Sequence, residues 1–320
     1  MQAVVQHHFG ETPRFTSFKD PCPSDGEVIV RVQAAVIRPA DIAIAKGLHS
    51  CTPSQLPFIC GRDGVGRLED GRRVYFRTGR CPFGAMAEYA PAEWVAPLPD
   101  DVGSAVAAAL VGPALTAWLP LAMRADIEPG ETVLVLGASG LVGRLAVQAA
   151  RLQGAARVIA ASRRPESLSA LGADALIDLG QPPSVLQHTF ATFAESGIDV
   201  VIDFVWGETL ELLLAALVQG DGMPASVFDR GIRIVTAVDR GAGCLMLAPG
   251  VLRDSRVQLM GCGPANHPPG GYLKTLADDI LACASDGDLT MDFELESMAN
   301  VADVWSRAGR QGTRIVLTVD

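Results

Sequence analysis

Two patterns of apolar and polar positions divide this chain. In its first third the alternation has period two. Glu27-Val-Ile-Val-Arg-Val-Gln-Ala-Ala-Val36 puts apolar and polar side chains on opposite faces, as a half-buried strand requires. Arg73-Val-Tyr-Phe76 and Gly84-Ala-Met-Ala-Glu-Tyr-Ala90 extend the β character, and Gly61-Arg-Asp-Gly-Val-Gly66 predicts a tight bend between strands. Arg38-Pro39-Ala40-Asp41 predicts a turn into a short helix with Pro39 near its first position.

From Pro129-Gly130 onward, short apolar runs alternate with segments of helical period. Strands are predicted at Thr132–Leu136, Arg157–Ala161, Ala175–Ile177, Asp199–Phe204, Arg233–Val238 and Val257–Gly261, and helices most clearly at Leu141–Gln153 and Glu208–Val218. That alternation implies an α/β fold with a doubly wound parallel sheet and helices on both faces. A Pro/Gly-rich link at Asn266–Gly271 leads into a helix from Tyr272 to Ser285 and a last strand, Thr313–Val319, which is expected to rejoin the first domain. The ligand is then expected in the cleft between the domains, at the carboxyl ends of the parallel strands. The longest apolar run, Ala105 to Met123, predicts two short buried helices interrupted at Gly112-Pro113 and Pro120, in preference to a membrane span.

With 320 residues, 49% of them hydrophobic and 19% charged, the chain has the core material for two domains. Its net charge of −10 argues against a nucleic-acid partner. Met1–His8 has neither a basic nor an apolar signal region, and the seven cysteines are odd in number and without a C-x-x-C pair. A reducing, cytoplasmic setting is therefore expected. The metal-ligating types His49, Cys51, Cys60 and Cys81 contain one close pair, and its one-residue gap suits tetrahedral zinc poorly, so no metal is expected.

The apolar strand Thr132–Leu136 feeds straight into Gly137-Ala-Ser-Gly-Leu-Val-Gly143 and then a helix, the arrangement of a dinucleotide-binding unit. Gly140 admits a pyrophosphate to the backbone, Gly143 lets the helix pack closely, and the helix N-terminus supplies amides and a positive dipole end. Where an NAD-preferring unit carries an acid at the end of its second strand, this chain has Ser162-Arg163-Arg164. A hydroxyl and two guanidiniums match a 2′-phosphate, which predicts NADPH over NADH.

These landmarks, with Pro23–Val36, Leu56–Gly66, Ala114-Leu-Thr-Ala-Trp118, Ala138-x-Gly140-x-x-Gly143 and Leu171-Gly-Ala-Asp174, resemble the medium-chain dehydrogenase/reductase superfamily. Within it they look like the zinc-free quinone oxidoreductases, the zeta-crystallin-like branch. The resemblance implies a GroES-like catalytic domain at 1–118 and 265–320, a Rossmann domain at 119–264, NADPH as hydride donor, a small-molecule substrate, no membrane and a homodimer. Topology and resemblance together imply cofactor contacts from Ala138, Ser139, Gly140, Leu141 and Val142 at the pyrophosphate. Phe204, Val205, Ala237, Val238, Gly261 and Thr116 are expected along the rest of the cofactor.

Zinc-dependent relatives carry a cysteine near Arg38 and a His-Glu pair at Arg62-Asp63, and both ligand positions here are arginine. Related zinc-free reductases often have Asn-Pro-x-Asp at Arg38–Asp41 and a tyrosine at His49. The resemblance therefore draws attention to His49 as proton or hydrogen-bond donor and Arg38 as a fixed electrophile. An exposed loop histidine and an Arg38–Asp41 ion pair are the plainer readings. The activity implied is hydride transfer to a quinone or an α,β-unsaturated carbonyl. An enoyl reductase or tailoring dehydrogenase of a biosynthetic pathway, and a non-catalytic NADPH-binding sensor, are the alternatives.

Overall fold

The computed structural model describes every residue except 165–171, 219–229, 238–243, 264, 265, 267, 309–313 and 320. The chain divides into two units, Met1–Leu115 with Pro268–Asp320, and Thr116–His267.

Among the described residues, the second unit carries a six-stranded parallel sheet. Its order is Ala175–Asp178, Arg157–Ser162, Thr132–Leu136, Val200–Asp203, Ile232–Thr236, Val257–Gly261. The central strands are unbroken apolar runs because helices cover both faces; Val133–Leu136, Val158–Ala161 and Val200–Ile202 are all buried. Leu134, Ile159, Phe190, Val201 and Leu210 form part of one core cluster. The first of these six strands in chain order, Thr132–Leu136, has the second on one side and the fourth, Val200–Asp203, on the other. Strand order reverses there, and that switch point is where such sheets bind ligands.

In the first unit, Val28–Ile37 pairs antiparallel with the C-terminal strand Ile315–Thr318, with Asp63–Arg67 and with Tyr89–Ala92. Asp63–Arg67 continues through Arg73–Arg77 to Trp94–Pro97. Gln2–Gln6, Arg14–Ser17 and Phe58–Ile59 form a smaller antiparallel sheet.

Two sequence expectations change. Residues 63–66 of the glycine-rich bend belong to the strand Asp63–Arg67. Gly64 and Gly66 answer to close packing there: a Cβ on Gly64 would stand 2.6 Å from the Ala34 carbonyl, and one on Gly66 2.5 Å from Val30 Cγ1. The apolar run forms a single α-helix, Ser104–Leu119, straight through Gly112-Pro113, followed by a π-helical turn at Pro120–Ala125. Proline removes one amide, but burial holds the helix. Ala107–Val111 and Ala117–Leu119 are buried, and 72% of the most apolar window of this stretch is inside the protein.

Candidate functional site

In the second unit the strand Thr132–Leu136 ends on Gly137, whose φ of 85° lies in the left-handed region that glycine tolerates. A Cβ there would stand 3.1 Å from Val205 Cγ2 and 3.2 Å from Phe204 Cβ. The Gly140 amide donates to the Gly137 carbonyl at 3.1 Å, and the Gly137 and Ala138 amides both donate to the Ala161 carbonyl, at 2.9 and 3.0 Å. The helix Leu141–Leu152 opens from this turn with Gly140 as N-cap and no side-chain cap. Its first intrahelical bond runs from the Arg144 amide to the Gly140 carbonyl at 2.9 Å. The amides of Leu141, Val142 and Gly143 are therefore the unsatisfied donors of a helix start, and the dipole adds to them.

The two glycines of the motif do different things. A Cβ on Gly143 would overlap the Gly137 carbonyl oxygen and lie 2.8 Å from Ala138 Cα, so the helix reaches the turn only with glycine there. A Cβ on Gly140 would meet nothing nearer than that same oxygen at 3.3 Å. The space it leaves is open, and a diphosphate fits a cradle of this kind. Ala138 is buried, Ser139, Leu141 and Val142 are half-buried, and Gly140 is exposed.

Register extends the site sideways. Ala161, Leu136, Asp203, Thr236 and Gly261 are neighbours across the sheet. Ser162, the glycine turn, Phe204, Val205, Ala237 and Gly261 consequently share the carboxyl edge. Val238 lies outside the described residues. Thr116 is an exposed residue of the Ser104–Leu119 helix.

Ser162 does not turn outward as a 2′-phosphate ligand would. It is 1% exposed, and its Oγ accepts the Arg164 amide at 3.0 Å, a local bond that serine forms readily in turns. It shapes the turn that carries Arg163 and Arg164, both exposed.

Sequence reasoning placed Phe204 and Val205 after the fourth strand but missed Asp203, which braces their loop. Asp203 is fully buried, and its Oδ1 accepts the amides of Val205 and Trp206, each at 2.9 Å. These bonds hold Trp206 at a φ of 61°, which costs a residue with a side chain about 1–2 kcal/mol. The available signal was an aspartate two residues before Val205, a turn former at a strand end.

In the first unit the helix Pro39–Ala45 has Pro39 at its first position and Arg38 as N-cap. The Arg38 amide donates to Asp41 Oδ2 at 2.8 Å. Its guanidinium grips the same carboxylate through Nε and Nη2, both at 3.1 Å, and reaches Asp63 Oδ2 through Nη1 at 2.5 Å. Asp41 and Asp63 are each 3% exposed. Burial works against the Arg38 charge, but the two carboxylates outweigh it and raise its pKa above the ordinary arginine range. Burial and then repulsion from Arg38 bring Arg314 down to about 10. Asp63 Oδ1 and Arg314 Nε have no hydrogen-bond partner among the described residues. All three side-chain nitrogens of Arg38 are thus committed to carboxylates, and the geometry corrects the electrophile expectation in favour of the ion pair. Asp63 and Arg314 lie too far along the chain for spacing to have joined them to Arg38.

His49 is half-buried beyond that helix. Its Nδ1 accepts the Cys51 amide at 3.0 Å and its carbonyl accepts the Thr52 hydroxyl at 2.6 Å. Cys51 also lines a cavity of about 180 Å³ within this unit, together with Phe58, Cys60, Arg62, Thr78 and Cys81.

A family model described as zinc-binding dehydrogenase matches residues 142–227. A quinone oxidoreductase of Pongo abelii is 31% identical over 252 residues, covering 72% of this chain and 74% of that one. A chloroplastic quinone-oxidoreductase homolog of Spinacia oleracea is 33% identical over 205 residues, 56% of this chain; the match spans 62% of its length, less than two thirds. The quinone oxidoreductase of Thermus thermophilus, solved alone and with NADPH, superposes with a TM-score of 0.76 at 28% identity, covering 99% of this chain and 100% of that one.

The residues present do not fit the zinc of that family description. Among the described residues no three of His, Cys, Asp or Glu converge on a metal site. Asp63 already holds a cation, the Arg38 guanidinium, and an arginine cannot ligate another.

Proposed function

Because the chain belongs to the quinone oxidoreductase branch of the medium-chain dehydrogenase/reductase superfamily, we propose that it is an NADPH-dependent, zinc-independent reductase of quinones or α,β-unsaturated carbonyl compounds. The observation that carries this reading is the open amide cradle at Gly137–Gly143, with Arg163 and Arg164 exposed beyond the neighbouring strand on the same edge. Bound there, NADPH would supply the hydride that an enone gains at its β-carbon, the α-carbon taking its proton from solvent.

The chain's own residues bind and orient. The amides of Leu141, Val142 and Gly143 take the diphosphate, and the Asp203-braced loop with Phe204 and Val205 flanks the adenine side or the ribose. Arg163 and Arg164 supply guanidiniums for the 2′-phosphate, in the turn fixed by Ser162. Arg163→Ala with Arg164→Ala is expected to lower the ratio of kcat/KM for NADPH to that for NADH by roughly 10–100-fold, the worth of one or two charge-assisted hydrogen bonds. A double variant that keeps the wild-type ratio removes the assignment.

His49 is the proposed proton or hydrogen-bond donor to the acceptor oxygen. With Nδ1 accepting the Cys51 amide, the neutral ring carries its proton on Nε2. In single-turnover mixing, His49→Phe is expected to slow hydride transfer by about 100-fold or more, the usual range for a positioned acid. An unchanged rate takes His49 out of the mechanism.

A further inference from the structure

Arg62 is the second arginine at the site that the Arg38 cluster does not explain. It is half-buried and lines the cavity of about 180 Å³ in the first unit. Its carbonyl accepts the Thr78 amide at 2.8 Å and the Thr78 hydroxyl at 3.3 Å, which fixes the backbone. Its guanidinium forms no ion pair among the described residues. The buried acids Asp41 and Asp63 are occupied by Arg38. Glu93, whose carboxylate packs on Gly79 at the cavity edge, is exposed and does not pair with it either.

Asp41 is the one acid among the cavity's lining residues, and Arg38 already holds its carboxylate; the other walls are apolar or neutral. Phe58 and Phe83 supply aromatic surface, and Cys51, Cys60 and Cys81 supply thiols. Burial pushes the Cys60 thiol well up, with the Asp41 charge adding to it, and burial raises Cys81. Those two thiols stay protonated near neutral pH, so they do not repel an anion. The cavity is below the ~300 Å³ at which ligand pockets usually begin, so its occupant is small.

A partly desolvated cation without a counter-charge is unfavourable, and a planar guanidinium matches a carboxylate with two parallel hydrogen bonds. We propose that this cavity binds the carboxylate end of a small unsaturated carbonyl acceptor through Arg62, making Arg62 the residue that selects anionic acceptors. This rests on the reductase reading above and narrows its substrate class.

The test compares two acceptors of similar size and the same enone, 4-oxo-2-pentenoate and 3-penten-2-one. The wild type is expected to favour the carboxylate by kcat/KM. Arg62→Met, which keeps most of the stem, is expected to reduce that preference by about tenfold or more, chiefly through KM, and Arg62→Lys to restore part of it. A preference unchanged in Arg62→Met overturns the inference.

A second measurement needs neither turnover nor a variant. Saturating benzoate is expected to slow N-ethylmaleimide labelling of Cys51 and Cys81, followed by mass spectrometry, while exposed Cys244 labels at its usual rate. Labelling of Cys51 and Cys81 that is indifferent to benzoate also overturns the inference. If neither acceptor oxidises NADPH but benzoate protects, the reductase reading fails and the anion site stands; turnover without preference or protection has the opposite meaning.

Discussion

Gly143→Ala is expected to cost the protein its nucleotide site. The added methyl would overlap the Gly137 carbonyl and crowd Ala138 Cα at 2.8 Å, and both are backbone atoms that no rotamer change can move. The helix Leu141–Leu152 must then back away from the turn, taking the amides of Leu141 and Val142 with it. Overpacking of this kind costs about 1–3 kcal/mol, and a domain the size of the Thr116–His267 unit loses about 2–4 °C of melting temperature per kcal/mol. Binding suffers more, because donors displaced by an ångström no longer converge on one diphosphate. Calorimetric titration with NADPH is expected to show at least a tenfold weaker Kd, about 1.4 kcal/mol. Gly140→Ala is the matched control. Its methyl meets only the Gly137 oxygen at 3.3 Å, so the melting temperature moves little while affinity falls, because the methyl enters the ligand's space. If Gly143→Ala binds NADPH as the wild type does, the cradle is not where the cofactor sits.

The parts of this protein that follow local rules were legible in the chain. Short apolar runs alternating with helical patterns marked the parallel sheet, and Gly143 was assigned its packing role from its place in the motif. Three features escaped for physical reasons. Gly64 and Gly66 looked like turn glycines, but their absent side chains make room for a neighbouring strand, a fact about partner distance that sequence does not carry. Pro113 looked like a helix break, yet a helix buried along so much of its length survives the loss of one amide. Ser162 looked like a ligand, and a competing local bond to the Arg164 amide turned it inward. In the candidate site, Arg38 with Asp41 was within reach of reasoning because the two are three residues apart on one helix start. Asp63 and Arg314 were not, since only the sheet brings them to the same place.

That buried cluster gives the largest expected change in stability. Arg38→Ala leaves Asp41 and Asp63, each 3% exposed, without the cation that both contact. Removing one partner of a buried pair costs about 3–5 kcal/mol, because the charge left behind stays desolvated. Arg38→Lys is expected to fall between, keeping the charge but losing the two-pronged grip on Asp41. Arg72 provides the comparison that isolates burial as the cause. It also contacts an aspartate, Asp70, at 2.7 Å, but the two side chains are 71% and 51% exposed. Water screens that pair, so Arg72→Ala is expected to cost under about 1 kcal/mol. Urea unfolding of the three variants beside the wild type measures all of these on one scale. Equal losses for Arg38→Ala and Arg72→Ala would mean that the contact itself, and not its removal from water, sets the energy, and the account of Arg38 as the strut between two buried acids would fail.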